Sequence, residues 1–201
     1  MDARNEIKKK ILKHALQHVP FDGWSQGLLE KASQEAGVDQ SYGWRLFPQG
    51  PLEAVSYWNS SLDQEMLASL PSPENLRVRE KVALAVKTRL CLLSPYREAA
   101  RKTAMYLTSP LHLGQASRLL YQTANEIWYY AGDTSTDYNF YTKRGLLVWV
   151  YSSTFLYWLR DQSEDFKKTW VFLDRRIDEV LKLPKIPQKI AHCFFPWKRH
   201  D

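Results

Sequence analysis

Cysteine is scarce in this chain. Cys91 and Cys193 lie far apart, and neither has a CxxC neighbour or a histidine at metal-ligand spacing. That speaks against a disulfide framework or a zinc site and fits a reducing compartment. Catalytic signatures are missing too: there is no GxSxG, no glycine-rich phosphate loop and no ExxH pair, so neither catalytic residues nor a cofactor is expected. His14 and His18 stand at helical i,i+4 spacing, but without an acidic or thiol companion in the sequence pattern no metal is expected. Long apolar runs are also lacking. The fullest, Gly145–Leu159, is interrupted by Ser152, Ser153 and Thr154 and falls short of the roughly 20 residues a bilayer-spanning helix needs; the expectation is a central helix buried on all sides. The opening MDARNEIKKKIL carries acids and no apolar core, unlike a secretory or transit peptide. No stretch alternates as a strand would, so the fold class is all-α.

Aromatic side chains are abundant, at 13% with 8 Trp and 11 Tyr. Such numbers suit a wide apolar cavity or a membrane-facing surface, where a ring carries a polar edge. The net charge of +6 is confined to the ends. Residues 1–18 hold five bases against two acids, residues 182–201 hold five against one, and the body between them is slightly acidic. This pattern suits an anionic membrane surface at least as well as a phosphate backbone.

Apolar periodicity and breakers predict helices over 3–18, 25–36, 39–46, 51–69, 74–93, 95–107, 113–131, 137–161 and 165–182. Pro20 with Gly23, Gly37, Pro48 with Gly50, Pro71 with Pro73, Ser94-Pro95, Ser109-Pro110 and Gly132 mark the breaks. The expected organisation is a helix-turn-helix-like lobe over 1–70, a larger ligand-binding lobe over 71–183 and a tail over 184–201. The last helix is amphipathic, with Phe166, Trp170, Leu173, Ile177 and Leu181 on one face.

The stretch from Phe21 to Pro48, with Ala36-Gly37-Val38 at its turn and Tyr42-Gly43-Trp44-Arg45-Leu46-Phe47 after it, has helix-turn-helix spacing and resembles the N-terminal module of TetR-type regulators. Yet residues 21–50 carry four acids against two bases. A DNA-reading face needs several Lys or Arg against phosphate, so no nucleic-acid partner is expected and the module stands as a scaffold. The alternative is a TetR-type ligand-responsive transcriptional regulator, sharing the pocket but requiring a basic recognition face.

A second segment is more distinctive. Glu126-Ile-Trp-Tyr-Tyr-Ala-Gly-Asp133, Ser135-Thr136-Asp137-Tyr138-Asn139-Phe140-Tyr141-Thr142-Lys143-Arg144 and Asp165-Phe166-x-x-Thr169-Trp170-x-Phe172-Leu173-x-x-Arg176 resemble the signature of the ubiquinone (coenzyme Q) biosynthesis accessory family numbered nine in that pathway. The resemblance implies a TetR-like fold, usually a homodimer, that holds an isoprenoid lipid or ubiquinone precursor. It also implies service to the demethoxyubiquinone hydroxylase at the membrane surface: cytoplasmic and peripheral at the inner membrane, or on the matrix side in an organellar form. The partner patch it implies is Asn125, Trp128, Asp137, Phe140, Tyr141 and Arg144. Phe140 stands where a Trp is common and Asn125 where an acid is often found. From the residues themselves, Phe140 and Arg144 share a helix face; an aromatic–Arg interface anchor and a core aromatic beside an Arg144–Asp137 ion pair both fit.

A lipid cavity bounded by residues 74–131 and 137–182 follows from the excess of large apolar side chains. Its expected lining is Leu84, Met105, Leu120, Ile127, Val148, Tyr151 and Phe155, and ligand sites usually measure roughly 300–1,000 Å³. In the tail, Phe194, Phe195, Trp197, Lys198 and Arg199 set three aromatics beside two bases. This composition suits membrane contact; packing back onto the domain is equally open.

Overall fold

The computed structural model describes residues 3–133 and 138–182. Asp137 and the tail residues Phe194, Phe195, Trp197, Lys198 and Arg199 lie outside the described residues. Within them the chain is helical without strands: α1 (Ala3–Asp22), α2 (Gln26–Glu35), α3 (Gln40–Leu46), α4 (Pro51–Ser69), α5 (Val78–Leu93), α6 (Arg97–Leu107), α7 (Leu113–Tyr130), α8 (Tyr138–Trp158) and α9 (Lys167–Lys182).

α1 runs past its expected end. Pro20 sits in the last turn, where its missing N–H removes a single bond, and the stop falls instead at Gly23 (φ +68°), whose N–H donates to Val19 O at 3.0 Å. α2 starts on Ser25, whose hydroxyl accepts from Leu28 N. It closes as expected at Gly37 (φ +70°), where Gly37 and Val38 donate back to Gln34 O and Ser33 O. α3 then lies so close to α2 that a Cβ on Gly43 would come within 2.5 Å of Ser33 Oγ. Glycine at 43 is what permits this crossing.

α1–α3 bury Ile11, Ala15, Val19, Leu28, Ala32 and Leu46 in a common core. This lobe is fastened to the rest of the fold through Trp24, whose indole N–H donates to Thr103 Oγ1 of α6 at 2.7 Å and whose ring lies 6.5 Å from that of Trp58 on α4. In the larger lobe α4 packs on α5 and α7, α7 on α8, and α8 on α9.

α8 departs from the expectation of burial on all sides. Leu147, Val150, Tyr151, Thr154 and Trp158 are buried, whereas Trp149 is 46% and Leu156 59% exposed. The uniform apolarity of its sequence hides a helix with one uncovered apolar side. α9 buries Thr169, Leu173 and Ile177, while Leu181 at its end is exposed.

Candidate functional site

A cavity of about 260 Å³ opens between α4, α5, α6, α7 and α8, just under the expected size range. Its walls are hydrocarbon: Val55 and Leu62 from α4, Leu93 from α5, Leu107 from α6, Leu119 and Leu120 from α7, and Phe155 from α8. Of the expected lining, Leu120, Tyr151 and Phe155 face it. The other four do not. Ile127 is fully buried in the core, Val148 packs on that core, Leu84 is half-buried away from the cavity, and Met105 points outward from α6, 63% exposed. The wall supplied by α4 also carries the cavity across the expected lobe boundary at residue 70.

Apart from the Ser152 hydroxyl, the polar groups at the cavity are already engaged. Arg89, 3% exposed, donates from Nε to Asp63 Oδ1 at 2.8 Å, from Nη2 to Asn59 Oδ1 at 2.7 Å and from Nη1 to the Tyr151 hydroxyl. Thr123 Oγ1 donates to the Asp63 carboxylate at 3.1 Å. Burial opposes the guanidinium charge, but the Tyr151 and Asp63 oxygens facing it prevail and raise its pKa above the ordinary value. Burial pushes the Tyr151 hydroxyl up as well, so the phenol stays neutral. Sequence inspection missed this network. Its signal was Arg89 on the same helix face as Val82, Val86, Leu90 and Leu93, all buried.

At its mouth the cavity shares Ala104, Thr108 and Leu156 with a wider groove lined by Arg101, Arg160, Asp161, Lys168 and Met105. Asp161, 5% exposed, accepts from Ser163 N at 2.8 Å, Thr169 N at 2.8 Å and Thr169 Oγ1 at 2.6 Å. Burial alone would raise its pKa; the hydrogen bonds from Thr169 and Ser163 outweigh it and bring the carboxyl down to about 2 from its ordinary 3.8. A folded-state pKa below the unfolded one means stability present above pH 4 and lost as the pH falls towards 2. The shift corresponds to about 2 kcal/mol at neutral pH. In thermal melts the advantage of the native protein over Asp161→Asn should therefore vanish between pH 4 and pH 2. An advantage constant through that window would show that the ionised carboxylate is not what the hydrogen bonds hold.

In the expected partner patch Arg144 is buried while Asn125, Trp128 and Phe140 are half-buried. Arg144 is 3% exposed; it donates from Nε to Asn125 Oδ1 at 2.9 Å and from Nη1 to Asp133 Oδ2 and Phe140 O at 3.1 Å, with its guanidinium carbon 3.3 Å from the Phe140 ring centroid. The Trp128 indole donates to Lys143 O at 3.0 Å, and Lys143 Nζ lies 2.7 Å from Asp133 Oδ1. Asn125, Trp128, Phe140 and Arg144 thus come together around Asp133 as a clasp between α7 and α8. Arg144 is corrected from a surface anchor to a buried cation. Tyr141 stays out, 64% exposed.

His14 and His18, expected to lack an acid, share Glu35. His18 Nε2 is 2.9 Å from both carboxylate oxygens and His14 Nδ1 is 3.4 Å from Oε2. The bond to His18 leads in lowering the Glu35 pKa. This cluster ties α1 to α2, and among the described residues no group of three His, Cys, Asp or Glu is arranged to hold a metal.

Known proteins are similar to this chain. A family model described as COQ9 matches residues 113–184, which span α7 to α9 and include the cavity's α7–α8 wall and the Asp133 clasp. The COQ9-B ubiquinone biosynthesis protein of Xenopus laevis is 30% identical over 199 residues, covering 94% of this chain and 68% of that protein. The chain belongs to the COQ9 family. Other COQ9 relatives are the probable mitochondrial ubiquinone biosynthesis protein of Dictyostelium discoideum, 32% identical over 193 residues (92% of this chain, 63% of the relative), and COQ9 of Rattus norvegicus, 31% identical over 190 residues (90% and 61%). The chain spans about six-tenths of the length of these two relatives. A TetR transcriptional regulator from Nitrosomonas europaea superposes with a TM-score of 0.72 at 20% identity, over 89% of this chain and 99% of that one. That likeness shows a TetR-like fold for this COQ9 chain.

Proposed function

We propose that this chain is a lipid-binding accessory protein of ubiquinone biosynthesis, acting without catalysis of its own. It holds an isoprenoid or ubiquinone intermediate and presents it to the demethoxyubiquinone hydroxylase at the membrane surface. The observation that carries the proposal is the cavity, whose hydrocarbon walls and largely paired polar groups suit an apolar chain such as a section of polyprenyl tail. Relatives named for ubiquinone biosynthesis supply the pathway, and their mitochondrial names support a mitochondrial place, which for a membrane-surface accessory would be the matrix side of the inner membrane. No described helix is long and apolar enough to cross a membrane, so contact would be peripheral, with the tail aromatics Phe194, Phe195 and Trp197 beside Lys198 and Arg199 as candidates. A homodimer belongs to the same reading, and Trp149 on α8 and Val171 on α9 are exposed apolar side chains available to it.

Mass spectrometry of organic extracts of the purified protein tests the proposal. The native chain should yield an isoprenoid lipid, and Leu120→Trp, which puts an indole into the cavity, should reduce it to background. Because there is space to receive the ring, the melting temperature should hold; a packed interior would lose about 1–3 kcal/mol to the same substitution. Equal lipid in both proteins, or none in either, sinks the cavity as the binding site.

A further inference from the structure

The cavity and the groove at its mouth divide the chemistry of an amphiphile between them. Inside, Arg89, Asn59 and Tyr151 satisfy one another together with Asp63. Thr103 Oγ1 donates to Ala99 O while accepting from Trp24, and Thr108 donates to Met105 O. Ser152 Oγ alone among the cavity-lining side chains is buried without a partner. A charged or multiply hydrogen-bonding head would have to break these pairs to enter, so the head must lie outside.

Outside, past Ala104, Thr108 and Leu156, the groove holds three cations. Arg101 spans the rim, donating to Leu159 O at 2.5 Å and lying 3.3 Å from Glu98. Arg160 and Lys168 are exposed, and neither has an ion-pair partner among the described residues. The acid within the groove, Asp161, has its oxygens committed to Ser163 and Thr169. From this we infer a head-group subsite: Arg160 and Lys168, with Arg101 at the rim, receive the phosphate of an amphiphile whose tail occupies the cavity. A guanidinium and an ammonium suit phosphate oxygens because the charge-assisted bonds are short and need no buried partner. The inference rests on the lipid-cavity reading and adds to it a direction, tail inward, and an anionic head.

The phosphate could belong to an isoprenoid phosphate or to a phospholipid. Isothermal titration of the full chain with farnesol, farnesyl diphosphate and inorganic pyrophosphate tests the subsite. Farnesyl diphosphate should bind roughly ten-fold more tightly than farnesol, the gain two partly exposed ion pairs can supply. Arg160→Gln with Lys168→Gln should erase that gain and leave farnesol binding unchanged. Dihexanoyl phosphatidylglycerol against dihexanoyl phosphatidylcholine separates the sources: a preference for the anionic lipid that the double variant also loses assigns a phospholipid, and a gain confined to the diphosphate assigns an isoprenoid phosphate. Equal affinity for farnesol and its diphosphate overturns the subsite and leaves the cavity standing. So does pyrophosphate binding as tightly as the diphosphate. If farnesol and the diphosphate both fail to bind, the cavity reading falls with it.

Discussion

Asp63→Ala should be among the most damaging single changes in this protein, lowering its stability by about 3–5 kcal/mol. Asp63 and Arg89 are 2% and 3% exposed and meet at 2.8 Å, linking α4 to α5. Without the carboxylate, the guanidinium keeps Asn59 and the Tyr151 hydroxyl as neutral partners but loses its counter-charge. Thr123 Oγ1 loses its acceptor at the same stroke. Removing both charges is a different matter: a buried pair replaced by apolar groups of similar size is often neutral or better. Asp63→Leu with Arg89→Met should therefore recover most of the loss in a denaturant titration. If the single substitution costs under about 1 kcal/mol, water reaches Arg89 and the cavity end is wetter than its burial indicates.

Arg144→Glu should unfold the α7–α8 clasp. It replaces a cation pinned between Asp133, Asn125 and the Phe140 ring by a carboxylate facing Asp133, itself 4% exposed. Lys143 remains beside Asp133, but its side chain is 40% exposed and screened by water. The expected drop in melting temperature is on the order of 10 °C, from about 3–5 kcal/mol at roughly 2–4 °C per kcal/mol for a domain of this size. Tyr141→Ala provides the contrast, because that ring is 64% exposed. It should leave the melting temperature nearly unchanged and, if the proposed docking on the hydroxylase is right, weaken capture of that enzyme. A stable Arg144→Glu protein with impaired capture would restore Arg144 to the contact surface. Tyr141→Ala with full capture would remove Tyr141 from it.

Helix positions were legible because their ends are written in local chemistry. Ser25 as a cap, Pro51 in a first turn and Gly37 at positive φ each act within a few residues. Side-chain orientation was legible only where polar residues marked the outer face, as on α9. On α8, where GLLVWVYSSTFLYWL offers no contrast, periodicity could not tell buried Tyr151 from exposed Trp149. The same limit explains why Tyr151 and Phe155 fell on the cavity while Val148 did not. Met105 shows that apolarity is not inwardness: it points outward, and it is Ala104 beside it that faces the cavity. Asp133 as a partner of Arg144 was not legible either, because it stands eleven residues away in the sequence, beyond any helical spacing, and only the fold brings the two together.

The Trp24–Thr103 bond has a consequence for what the N-terminal lobe can be. Thr103 is at once the acceptor for that indole and part of the cavity wall. A tail that settles against α6 is therefore one hydrogen bond away from the turn between α1 and α2, and the helix-turn-helix cannot shift without disturbing the chamber behind it. The N-terminal lobe is therefore seated against the chamber, and filling or emptying the chamber would be felt as a change in how firmly that lobe is held.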